Sequence, residues 1–145
     1  MVDIKIKSLF FDRPKVQRAV DAARRRVLSK AGAFIRTAAR SSIRKRKNPS
    51  RPGQPPHSHT GLLKRFIFFG YDPATDSVVV GPVGFKRSNA PRVLEYGGVT
   101  TVTRFRRGKV TRRRVRIAPR PYMGPALDKE LPKFPELWRD SIRGG

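Results

Sequence analysis

From Pro14 to about Arg44, apolar residues return at the three- and four-residue spacing of an α-helix. Val16, Val20, Ala23, Val27, Ala31, Phe34, Ile35 and Ala38 share one stripe, while Arg18, Arg24, Arg25, Lys30, Arg36 and Arg40 fall mostly off it. Asp12 is placed to cap the first turn, and Pro14 stands near the first helical position, where its missing N–H costs nothing. The cations from Arg44 to Lys47 crowd the far end, next to the negative pole of the helix dipole. At 1.5 Å per residue such a rod is about 45 Å long. Small residues make up much of its stripe, so a flat partner can approach closely, and a β-sheet is the expected one.

The chain has 145 residues, the size of one ordinary domain. A chain of this length buries about 70% of its unfolded surface and builds a core without staples. There is no cysteine, which excludes disulfides and thiolate metal sites. No apolar run approaches the ~20 residues of a membrane span, and Met1–Ile6 lacks the apolar core of a signal peptide. The expectation is a soluble protein made in the cytoplasm, with no membrane partner. Charge narrows the field further: 34 Lys and Arg face 10 acids, a formal net charge of +24. A field of that sign and size calls for a polyanionic or acidic partner.

Val2, Ile4 and Ile6 alternate with Asp3, Lys5 and Lys7, the pattern of a half-buried strand that Leu9, Phe10 and Phe11 extend or plug against the helix entry. After the helix, Pro49, Pro52, Gly53, Pro55 and Pro56 make 48–57 an extended, polyproline-like loop, open to acting as an arm that orders only in an assembly. Thr60 is placed to cap a short turn leading into Phe66–Phe69, apolar on both faces and expected to be a central strand. Asp72–Asp76 forms a turn, and Ser77–Val80 returns antiparallel to cover the helix. Arg92–Tyr96 makes one or two helical turns ended by Gly97 and Gly98. A last helix begins near Pro125, with Leu131, Phe134, Leu137 and Trp138 on its apolar side or on that of a second short helix broken at Pro132 and Pro135.

Residues 99–117 form a second hairpin, turning around Arg107–Gly108. With a two- or four-residue turn, Phe105 pairs with Val110 and Arg104 with Thr111; Arg104, Arg106, Lys109 and Arg113 then share one face, and Arg112, Arg114 and Arg116 the other. A three-residue turn shifts the register by one and gathers Arg104, Arg106, Arg112, Arg114 and Arg116 on one side. Either way this is an arm or a basic face, and between Ser77 and Leu127 the only acid is Glu95. The plainer alternative is a solvated edge strand protected by its charge.

Catalytic sets are missing. His57 and His59 lie in a proline-rich loop with no acid cluster beside them, Asp72 and Asp76 are turn formers, and no Gly-rich phosphate loop joins a strand to a helix. Glu95, alone among cations, is expected to pair with an arginine. The expectation is a protein that is not an enzyme and carries neither cofactor nor metal. Its fold class is α+β: a long N-terminal helix packed on an antiparallel sheet, with a projecting basic hairpin and a short C-terminal helix, in a single domain over 1–145.

Four segments occur in a suggestive order: His59–Arg65 with Thr60, Gly61 and Leu62; Ser77–Pro82; Ala90–Pro91 with Leu94, Glu95, Tyr96, Gly97 and Gly98; and Arg120, Pro121, Tyr122, Met123, Gly124, Pro125, Ala126 and Leu127. Together they resemble the neck and tail-completion (head–tail joining) family of long-tailed double-stranded DNA phages, over roughly residues 28–138. That family carries a Thr-Gly-x-Leu turn before a strand, a Tyr-Ala-x-x-x-Glu-x-Gly-like segment, and an Arg-Pro-Phe-x-x-Pro-Ala-Leu element opening its last helix. Here Ala90–Pro91 replaces Tyr-Ala, Tyr122 stands for Phe, and the arginine-rich hairpin is more basic. The resemblance implies a structural virion protein that forms a ring, a hexamer, as neck protein or tail terminator. Its partners would be a head-side connector or stopper protein and the tail tube protein, around the DNA channel.

A channel that DNA must cross quickly cannot be sticky, because phosphate contacts attract strongly. Part of the basic surface, Arg104, Arg106, Arg107, Lys109, Arg112, Arg113, Arg114 and Arg116, is therefore expected to dock on acidic faces of adjoining ring proteins. A smaller part would hold the leading end of the genomic DNA by backbone contacts without base readout. The competing class is a basic nucleic-acid-binding module of architectural or ribosomal type, which predicts exposed aromatics among its cations. Phe66, Phe68, Phe69 and Trp138 instead read as buried.

Overall fold

The computed structural model describes residues 12–86, 88–139 and 141–142. The strand expected around Val2–Ile6 and the plug at Leu9–Phe11 lie outside them. Helix α1 runs from Arg13 to Ser42, and the Lys15 N–H donates to Asp12 Oδ1 at 2.9 Å, the expected cap. Its buried residues are Ala23, Val27, Ala31, Gly32, Ile35, Ala38 and Ala39. The stripe holds in the middle and fails at its rims: Val16 and Phe34 are exposed and Val20 is half-buried.

That hairpin is β1 (Ile67–Asp72) and β2 (Ser77–Pro82), antiparallel with Phe69 opposite Val80 and Tyr71 opposite Val78. It lies across α1 at Gly32, where a Cβ would stand 2.6 Å from Val78 Cγ2 and 3.0 Å from Phe69 Cδ2. The missing side chain sets how closely helix and sheet approach. From the helix, the Arg36 guanidinium donates through Nε to the Ile67 carbonyl at 3.0 Å and lies 5.8 Å from the Phe68 ring. The turn follows from Asp72, whose carboxylate accepts the Ala74 N–H and the Thr75 hydroxyl.

Among the described residues β1 is not a central strand. Phe66 belongs to the end of a four-residue helix, α2 (Leu62–Arg65), and β1 pairs only with β2. Ile67 is fully buried, whereas Phe68 on the other face of β1, and Phe66 just before it, are exposed. The expectation of buried aromatics fails for Trp138 as well, since it is exposed, and Phe69 is only half-buried. A run of four apolar residues does not reveal whether a third layer exists to cover it.

Then come α3 (Ala90–Tyr96), β3 (Gly98–Arg106), β4 (Lys109–Ile117), α4 (Met123–Glu130), a 3₁₀ turn (Leu131–Lys133) and α5 (Phe134–Trp138). The fold is α+β: a long N-terminal helix on antiparallel strands, with short C-terminal helices. Among the described residues the strands form two separate two-stranded sheets, β1–β2 and β3–β4. The core gathers Ile35, Ala38, Ala39 and Ile43 from the end of α1 with Leu63, Ile67, Tyr122 and Ala126.

The proline-rich loop is not a free arm. The Ser58 N–H donates to the Arg44 carbonyl at 2.9 Å, and the Gly53 N–H to the Pro119 carbonyl at 2.8 Å. A ring nitrogen of His57 lies 2.8 Å from the Asn48 carbonyl, and Pro56 is fully buried. These bonds strap 48–58 across the end of α1 and onto the segment before α4.

Candidate functional site

Two groups of residues stand out in the sequence, and they adjoin where Arg116 shares a cleft with Leu94 and Arg120. The motif residues converge on the body. Gly61 takes the left-handed conformation (φ 77°) that opens α2, and the Leu62 N–H reaches the Thr60 hydroxyl at 3.4 Å. Leu62 itself is exposed, while its neighbour Leu63 enters the core. Glu95, at the end of α3, turns its carboxylate to the start of α4. Oε2 accepts the N–H groups of Tyr122 (2.9 Å) and Met123 (3.0 Å), and Oε1 accepts that of Gly124 (2.8 Å). The expected arginine partner is replaced by backbone: an anion at a helix N-terminus satisfies N–H groups that have no partner within the helix.

Gly97 ends α3 at φ 75°, with Pro119 so close that a Cβ would stand 3.0 Å from its Cδ. Arg120 ties three segments together. Its N–H donates to the Leu94 carbonyl at 2.6 Å, Nε to the Ser50 carbonyl at 3.0 Å, and Nη1 to the Ala118 carbonyl at 3.2 Å. Pro121 leads directly into Tyr122, which is only 1% exposed. Burial, with the Glu95 carboxylate adding to it, holds the Tyr122 hydroxyl far above the usual tyrosine range. Ala126 is buried, while Pro125 and Leu127 face outward. These residues hold the fold together; Arg120 and Leu94 line one open cleft, and Thr60 and Leu62 line another.

The second group is the β3–β4 ribbon. Its turn has two residues, Arg107 at φ 47° and Gly108 at φ 74°, so Arg106 faces Lys109, Phe105 faces Val110 and Arg104 faces Thr111. Of the two registers the sequence leaves open, this one divides the charge. Arg104, Arg106, Lys109 and Arg113 share a face with Val102 and Val115; Arg112, Arg114 and Arg116 share the other with Thr103, Thr101 and Val99. All eight cations, Arg107 included, are exposed. The base is held among the described residues: Thr100 donates its hydroxyl to Asn89 Oδ1 at 2.6 Å, and α3 packs beside β3. None of the eight enters an ion pair among the described residues. At about 3.3 Å per residue, nine residues carry the ribbon about 30 Å.

One feature escaped the sequence reading. The strapped loop and the end of α1 enclose an open cleft of about 700 Å³, lined by Arg44, Arg46, Lys47, Arg51 and His57. The basic run was visible in sequence, but the closure that faces it with Arg51 and His57 depends on contacts with Pro119 and Arg120. No helix among the described residues is long and apolar enough to cross a membrane. Comparisons of the chain with family models, with curated proteins and with solved structures found no match.

Proposed function

We propose that this chain is a structural subunit of the head–tail junction of a long-tailed, double-stranded DNA phage particle. In this reading it closes a ring, a hexamer, as neck protein or tail terminator, between the head-side connector or stopper and the tail tube. It acts by assembly and performs no catalysis. The observation that carries the reading is the convergence of the segments on which the resemblance rests. Leu63, Tyr122 and Ala126 meet in one core, and Glu95 and Leu94 are bonded to the stretch Arg120–Gly124.

The surface is compatible with a ring subunit. Both sheets have two strands, so each leaves its outer edges without a strand partner among the described residues. Unpaired edges template pairing with another chain. Val79, Val83 and Tyr96 are exposed on the same body, apolar surface of the kind that heterologous contacts cover when a ring closes. The test is the mass of the purified protein at moderate salt by light scattering, with electron microscopy alone and after mixing with tail tubes. Rings, or rings capping tube ends, are expected. A persistent monomer that ignores tubes refutes the reading.

A further inference from the structure

We propose that the β3–β4 ribbon is a sequence-independent binding element for duplex DNA that contacts phosphates with both of its faces. The inference replaces the expectation that most of these cations dock on acidic ring proteins, and it stands on the ribbon alone, whether or not the chain closes into a ring.

Self-repulsion is the first observation. Arg106 and Lys109 are directly opposite, and Arg112, Arg114 and Arg116 follow one another on one face about 6.7 Å apart. Residues 98–117 contain no Asp, Glu, Asn or Gln to relieve this. A two-stranded ribbon without a covering layer is marginal by itself. A ribbon so built is favoured once a polyanion surrounds it.

The two-faced charge then selects the polyanion. An acidic protein surface meets one face of a ribbon and leaves the cations of the other in water. The major groove of B-DNA is about 12 Å wide, admits a two-stranded ribbon, and is walled by phosphates on both sides. Seven of the eight cations are arginines, whose planar fork suits phosphate. The hydroxyls of Thr101 and Thr103, opposite Arg114 and Arg112, add neutral donors on the same face. Near the tip Phe105 is 80% exposed beside Val110. Phosphate contacts carry no sequence information, so the grip is general.

The test uses the full chain and short labelled duplexes of two unrelated sequences, titrated by fluorescence anisotropy over a range of salt. Equal affinity for both is expected, with log K falling linearly against log salt. Each phosphate contact contributes about 0.9 to that slope. R112Q/R114Q/R116Q and, separately, R104Q/R106Q/R113Q are each expected to lower the slope by about 2.7, with circular dichroism unchanged. On the unaltered protein, duplex is expected to slow tryptic cleavage after Arg104–Arg116, a readout that needs no variant to fold.

An unchanged slope in either triple variant overturns the two-faced grip. Absence of tryptic protection, or displacement of duplex by poly-glutamate at equal charge, overturns the choice of DNA over an acidic protein. Light scattering reads the ring separately, so a monomer that still binds duplex leaves this inference standing and removes only the ring.

Discussion

Replacing Glu95 with alanine removes the acceptor for three backbone N–H groups, at 2.8–3.0 Å, where α4 begins. A hydrogen bond to a charged group contributes about 1.5–3 kcal/mol, but the three share one carboxylate and are not additive. Glu95 is half-buried, so water can reach part of what it leaves. Loss of an ordinary helix cap costs about 0.5–2 kcal/mol. Since this carboxylate also joins α3 to α4, the expected loss for E95A is about 3 kcal/mol. For a chain of this size each kcal/mol is worth about 2–4 °C, so the melting temperature should fall by about 6–12 °C. E95Q keeps one carbonyl oxygen but turns an NH₂ group toward an N–H, and should lose roughly half as much. Thermal unfolding followed by circular dichroism, with wild type and both variants in one buffer, measures this. An E95A protein that melts within about 2 °C of wild type, less than one kcal/mol is worth, refutes the cap as the joint between α3 and α4.

Gly32→Ala gains about 1 kcal/mol of helix propensity but forces a Cβ to 2.6 Å from Val78 Cγ2, and overpacking costs about 1–3 kcal/mol. Chemical denaturation should show G32A destabilised and V78A partly rescuing it; additive effects of the two changes would mean the contact is not what limits the approach. The Asp72 carboxyl is held below the usual aspartate range, first by the Thr75 hydroxyl and then by the Ala74 N–H. Its contribution is present above the ordinary value of about 3.9 and is lost as pH falls through the lower native value. The gap in melting temperature between wild type and D72A should therefore narrow as pH falls below about 4 and stay constant above about 5.

Local patterns decided much of this protein. Asp12 caps α1, alanine spacing marks its buried middle, Gly97 ends α3, and the paired acids of Asp72–Asp76 make a turn, because each depends on neighbours within one or two turns of chain. The positive charge of the 104–116 stretch is likewise a property of sequence alone. What lies on the other side of an element is not local. Phe66–Phe69 read as buried on both faces, yet among the described residues β1 pairs only with β2, and Phe66 just before it and Phe68 within it are exposed. Glu95 stood among arginines in sequence but was taken by backbone 27–29 residues away, because only the packing of α3 against α4 brings those N–H groups to it. The same holds for the ribbon. Its cations are written in the chain, but one residue of turn length determines whether they gather on one face or two. The left-handed backbone at Arg107 and Gly108 sets the two-residue turn that splits them. Side chains in a strand alternate with period two, so the sequence supplied the charge and the folded turn alone decided where it points.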